Sequence, residues 1–243
     1  MTIWKEALWL AKFELKKIKL GFAITALLAV FFSMFFCTVI PENLIRNRST
    51  VMLDMIFLIV FGIGTTWLKP KDFNHQKVNR DFWVPPFIIT LRQLPIKLEA
   101  FIKSRFIIFF TFAIPYYILI SILTYCLSPE LRETLDVGTY AAFMIIWISI
   151  GIHIGASFPA SDVGVRMSTT AMVIYLFVLL FGLIAILTLF NLFYGNGFVS
   201  WTMSMAKKQP ILSSIAAILF AYVGLFYSQK YMSRRIKKTD YVC

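Results

Sequence analysis

The chain is poor in the residues that carry out chemistry. Its 243 residues include two histidines, three cysteines and twelve acids. His75 and His153 stand far apart, so there is no H-E-x-x-H zinc helix. No G-x-S-x-G nucleophile elbow occurs, and no aspartate pair ends an apolar run where it would hold a metal for phosphoryl transfer. A G-x-x-x-x-G-K-[ST] phosphate loop is absent too, which excludes ATP hydrolysis by that route. No catalytic residue, no metal ligand and no cofactor bound by this chain is therefore expected. Cys37 and Cys126 follow no disulfide spacing, and Cys243 is not part of a prenylation box. Charge is scarce as well: 15% of residues are charged, against about a quarter in soluble domains.

What is present is apolar bulk, with 59% hydrophobic residues and 25 phenylalanines. A spanning helix needs about 20 mostly apolar residues. Six stretches qualify: 21–40, 51–68, 106–127, 139–158, 170–193 and 211–227. They are continuously apolar, without a period of two, so helices and not a barrel are expected. The expected fold is all-α and polytopic, a single transmembrane domain over 1–243. Of the 24 lysines and arginines, 19 lie in 1–20, 69–105, 159–169 and 228–243. The positive-inside bias places these segments, and both termini, in the cytoplasm of a plasma-membrane protein. The net charge of +12 then reads as topology and contact with anionic lipid, not as nucleic-acid binding. The late, long first apolar run lacks a small-x-small site after it, so no cleavable signal is expected.

Residues 1–20 place Trp4, Leu8, Ala11, Leu15 and Ile18 on one helical face, with Lys5, Lys12, Lys16 and Lys19 mostly elsewhere. That pattern predicts an amphipathic helix lying in the membrane surface. A short outer loop is expected from Pro41. Asp54, just inside the second span, reads as a snorkelling or capping acid at the interface before it reads as an ion site. Pro115 predicts a kink in the third span. Gly151 and Gly155 share a face and predict close helix packing, while His153 between them reads as hydrogen-bonded to a neighbour. Pro159 ends the fourth span, and a tight inner turn follows. The aromatic, glycine-bearing segment 191–210 predicts short interfacial or re-entrant structure, with Phe198 and Trp201 as a possible outer gate.

The longest connection, 69–105, contains "FWVPPFIITLRQLPIKLEAFIKSRF". Pro86 suits the first turn of a helix and Pro95 halts it. Over 84–95 this predicts about two turns, with Phe87, Thr90, Leu91 and Leu94 on one face, Ile88 at its edge and Arg92 projecting elsewhere. Such a helix fits another protein's groove or a lipid surface equally well.

At these residues the chain resembles the permease subunits of ATP-binding-cassette exporters, in the six-helix subgroup that serves polysaccharides, drugs and peptide toxins. The resemblance rests on "TLRQLPI…SR", on "ASFPASD" and on the aromatic segment before the last span. Pro85–Pro86 departs from the family's usual acidic-glycine lead-in, and there is no large outer domain. The resemblance implies that 84–95 is a coupling helix, with Pro86, Phe87, Thr90, Leu91, Arg92, Leu94 and Pro95 facing a cytoplasmic ATPase subunit that holds ATP and Mg. It implies a homodimer or heterodimer with a second permease, and export along spans 2 and 5; the nearly charge-free spans suit a hydrophobic or amphipathic cargo such as a peptide toxin. The alternative is a membrane immunity or scaffold protein that binds a toxin or lipid without transport.

Overall fold

The computed structural model describes residues 2–46, 49–64, 75–79, 82–92 and 94–239. Residues 65–68 of the second expected span, and Cys243, lie outside them. Eleven helices dominate the described residues: α1 (Ile3–Leu15), α2 (Lys19–Arg46), α3 (Val51–Leu58), α4 (Pro86–Arg92), α5 (Leu98–Leu127), α6 (Pro129–Thr134), α7 (Val137–Gly155), α8 (Ser157–Ser161), α9 (Thr169–Tyr194), α10 (Phe198–Lys208) and α11 (Pro210–Lys238). Five helical stretches among the described residues are long and apolar enough to cross a membrane: most of α2, then α5, α7 with α8, α9 and α11. The second expected span is represented by a shorter apolar helix, Val51–Ile63, so five spans and not six meet that length.

Strands also occur. β1 (Gln76–Asn79), β2 (Phe82–Val84) and β3 (Val165–Arg166) form an antiparallel sheet in the order β1-β2-β3. Among the described residues, this sheet departs from the expected all-α chain. The sheet joins the long connection before α4 to the turn after α8, and the Trp83 indole donates to the carbonyl of Met167.

The N-terminal helix is placed differently from the expectation. Ala7, Leu10, Ala11 and Glu14 form its buried face, while Trp4 and Leu8 are exposed. Small residues face the protein because they let helix backbones approach closely. α1 also does not lie across the bundle. Glu6 accepts from the backbone of Lys97, Ser33 donates to the carbonyl of Ile120, and the Cys37 thiol to that of Thr124. These partners are all separated by 87–91 residues. A constant separation means that α1 and then α2 run parallel to α5, with a break near Lys17. α5 has 30 residues, about 45 Å at 1.5 Å per residue, so it exceeds a hydrocarbon core of about 30 Å. α1 lines that excess.

Pro41 does not open a loop: α2 continues through it to Arg46. Proline has no N–H to give the carbonyl four residues back. That carbonyl, on Cys37, instead accepts from the Ser128 hydroxyl at 3.2 Å. α5 likewise continues through Pro115. α7 ends at Gly155, and Pro159 sits within the short α8, which carries the fourth apolar stretch on to Ser161. Asp136 caps α7, and its hydrogen bonds from the Thr139 hydroxyl and amide hold its carboxyl below the usual range.

Two cores result. One is aromatic, built on Phe36, Phe57, Phe61, Tyr117 and Trp147. The other lies at the lysine-rich end, where Leu10, Ile88, Leu91, Phe101, Met232 and Ile236 meet.

Candidate functional site

Three arrangements lie along the length of the molecule. At the basic end, α4 forms over Pro86–Arg92, within the expected 84–95. Its orientation differs from the expectation. Ile88 and Leu91 are the buried side chains, inserted into the core of that end, and Phe87 is half-buried. Ile88 was expected at the edge of the face and is its centre, because the helix turns toward the apolar surface of its own chain. Thr90, Leu94 and Pro95 remain exposed, and Leu94 lies past the end of the helix. Arg92 ends α4, and its side chain lies outside the described residues.

Beneath α4, Arg105 pairs with Glu14, both almost fully buried. The Arg105 guanidinium also lies 5.8 Å from the ring of Phe87 and 5.4 Å from that of Phe101. α1, α4 and α5 are thus joined through one cation. Removing Arg105 would leave Glu14 buried without its cation, whereas Arg105 also feels the charge of the buried Asp162. The signal for this pair was present in the sequence: Glu14 falls on the Ala7–Leu10–Ala11 stripe, where a solvated acid does not belong.

In the middle, α3 passes into a π-helical turn, Ile59–Ile63, closed by the Gly64 amide on the carbonyl of Ile59 at 2.9 Å. π turns are rare and concentrate at functional sites. The tyrosines that follow Pro115 serve its irregular backbone: Tyr116 donates to the carbonyl of Val60 at 3.2 Å and Tyr117 to that of Phe61 at 2.6 Å. Gly151 makes room for them, since a Cβ there would stand 2.6 Å from the Phe61 carbonyl oxygen and 2.7 Å from the Tyr117 hydroxyl. At Gly155 a Cβ would meet the ring of Phe109 at 2.7 Å. His153 points elsewhere, to α11, where it stacks on Phe220 and its Nδ1 bonds the Phe220 carbonyl at 2.9 Å.

At the far end stands Asp54, and here the expectation of contact with water is corrected: it is fully buried. Its carboxylate accepts from the amides of Phe198 at 2.8 Å and Val199 at 2.9 Å, and from the Ser49 hydroxyl at 2.7 Å. The first amides of a helix have no partners within the helix, and a negative group is favoured there. α10 begins after Gly197 (φ 74°), which has no side chain to cap with, so an acid from α3 takes that role. A Cβ at Gly197 would also collide with the Ser49 hydroxyl. Ser49 extends the latch: its amide donates to the carbonyl of Asn196 at 2.8 Å, and its own carbonyl accepts from the Asn191 amide group.

The segment 191–210 is therefore the end of α9, a glycine turn and the amphipathic α10, which packs on α7, α11 and α3. Phe198 and Trp201 stack at 5.8 Å, and Phe198 also meets Trp147 edge-on at 5.6 Å. Cys37 and Cys126 are free thiols.

α9 is the least supported span. Leu187 is its one buried residue, and all of 169–182 is exposed. It touches α3 and α10 near its far end. Among the described residues no three metal-ligating side chains gather. Comparison with known proteins matches no family model, no curated protein and no solved structure.

Proposed function

We propose that the chain is the membrane-spanning subunit of an ATP-driven exporter. The observation that carries this reading is α4. It is a short helix bracketed by prolines on the basic connection, anchored inward by Ile88 and Leu91, with Thr90, Leu94 and Pro95 facing out. A helix gripped on one side and free on the other transmits displacement. A push on α4 reaches Phe87, Arg105 and Glu14, and through them α5 and α1.

On this reading the basic end is cytoplasmic and the chain has six spans. A separate subunit, holding ATP and Mg, docks on the exposed side of α4. A second permease, identical or related, covers the open length of α9. Cargo passes along α3 and α9, whose apolar walls suit a hydrophobic or amphipathic peptide. The π turn in α3, held by tyrosine hydroxyls, is the place where that wall changes shape.

The test is co-expression with the ATPase encoded nearest to it. Leu94→Asp is expected to lower ATPase co-purification and coupled turnover by about 10-fold or more, the cost of losing an apolar anchor. Leu91→Asp would not test docking, because Leu91 is buried in the chain's own core. If no ATPase co-purifies with the wild-type chain, the reading fails, and a toxin- or lipid-binding membrane protein takes its place.

A further inference from the structure

The helix that begins at Val51 is gripped at two places. In its first turn the Asp54 carboxylate takes the Phe198 and Val199 amides of α10 and the Ser49 hydroxyl. On the same side of the π turn Phe57 is fully buried, its ring 4.4 Å from that of Phe36 and 4.8 Å from that of Trp147. In the π turn itself, Tyr116 and Tyr117 hold the carbonyls of Val60 and Phe61. Gly62 lies close to α7, where a Cβ would stand 3.0 Å from Ile154.

Between these grips the helix carries one residue more than α geometry uses. The Gly64 amide reaches back five residues to Ile59, where an α-helix reaches back four, to Val60. The Val60 carbonyl that this leaves over is the one the Tyr116 hydroxyl takes. Returning the turn to α geometry would move the Gly64 amide onto Val60 and displace that hydroxyl. It would also rotate α3 by one residue, about 100°, against the segment after the turn. Met55 would then stand where Asp54 stands, offering α10 a weakly accepting thioether in place of a carboxylate. Leu58 would replace Phe57 beside Trp147, and the buried Leu53 would take the exposed place of Met52.

We propose that the Asp54 latch and the π turn form one register switch. With α10 docked on Asp54, the extra residue is kept in the turn; with α10 lifted off, α3 relaxes to a continuous α-helix and rotates by one residue. Both grips bias the same two-state element, so each stabilises the other by an equal amount. Helix registers are discrete, which makes the change a switch and not a gradual bend. The α9–α10 junction is thereby connected to the close packing at Gly151. The switch requires no transport partner and is independent of the exporter reading.

The test uses the full-length chain in detergent, with hydrogen exchange read by mass spectrometry. Tyr116→Phe together with Tyr117→Phe removes the hydroxyls that hold the turn. It is expected to speed exchange at Phe198 and Val199 by about 10-fold. Tyr125→Phe removes a hydroxyl bonded to the Leu135 carbonyl and should leave those amides unchanged. Register is read by maleimide labelling of Met52→Cys and Leu53→Cys, each combined with Cys37→Ser, Cys126→Ser and Cys243→Ser. With Asp54 in place Met52→Cys should label faster; with Asp54→Ala the order should reverse. The double Phe variant should likewise raise labelling of Leu53→Cys, which provides a second route if Asp54→Ala does not fold. Unchanged exchange at Phe198 and Val199 in the double Phe variant would overturn the proposal, as would equal acceleration by Tyr125→Phe. Faster exchange with no change in labelling order would overturn it too, since the effect would then pass through the packing of Trp147 without any rotation of α3.

Discussion

α7 and α9 are neighbouring spans of similar length, yet α7 with α8 is 50% buried within the chain and α9 is 6% buried. Apolarity does not explain it, because the less buried α9 is the more apolar of the two, with a mean hydropathy of 2.9 against 1.9. The separation comes from what interrupts the apolar sequence. α7 has Trp147 against Phe57 and Thr202, and glycines at 151 and 155 where backbones and tyrosines approach. α9 has Gly182, and a Cβ there would meet nothing within 4 Å. In lipid, apolar contact alone does not drive helices together; close packing and hydrogen bonds do. α9 is thus held where it has hydrogen bonds and stacked rings, at the Asn191 and Phe190 end.

If so, breaking that end should cost most. Asp54→Ala removes the acceptor for two amides and one hydroxyl, each costing about 1–3 kcal/mol when left buried and unpaired. It is expected to lower stability by about 3 kcal/mol and to raise hydrogen exchange in α10 and the last turns of α9, read by mass spectrometry in detergent. Unchanged exchange there would show that α9 is held by something else. The next effect is at Gly151. Gly151→Ala drives a methyl toward the Phe61 carbonyl and the Tyr117 hydroxyl, and overpacking of this kind costs about 1–3 kcal/mol. The thermal midpoint should fall. Smallest is Gly182→Ala, where nothing is displaced and alanine favours helix by up to about 1 kcal/mol. Its midpoint should stay level or rise slightly. The same substitution with opposite signs in two adjacent spans would sharpen the contrast; a loss at both would break it.

Much of this was legible in the sequence, for stated reasons. Five of the six expected spans followed from unbroken apolar length, and α4 from Pro86 and Pro95, because both are local signals. Which side of a helix faces the protein was not local. Trp4 and Leu8 form as good a stripe as Ala7, Leu10 and Ala11, and only the partner α5 decides between them. The strands were hidden because "QKVN" and "FWV" are too short to show alternation. Ser49 gave no signal by itself, since beyond Asp54 its partners Asn191 and Asn196 lie 142 and 147 residues away. Asp54 had been read as a cap or an interfacial acid; what it caps begins at Phe198, 144 residues away.

The parallel alignment of α1 and α2 with α5 also sets a timetable. The partners of Glu6, Ser33 and Cys37 are encoded 87–91 residues later. At a synthesis rate of about 5–20 residues per second, the first span waits roughly 5–18 s for the helix that completes it. During that interval Glu14 has no Arg105, and the carbonyl that Pro41 leaves open has no Ser128. The beginning of the chain is therefore made first and locked late, and a nascent protein stalled before Arg105 would expose an acid that the finished one conceals.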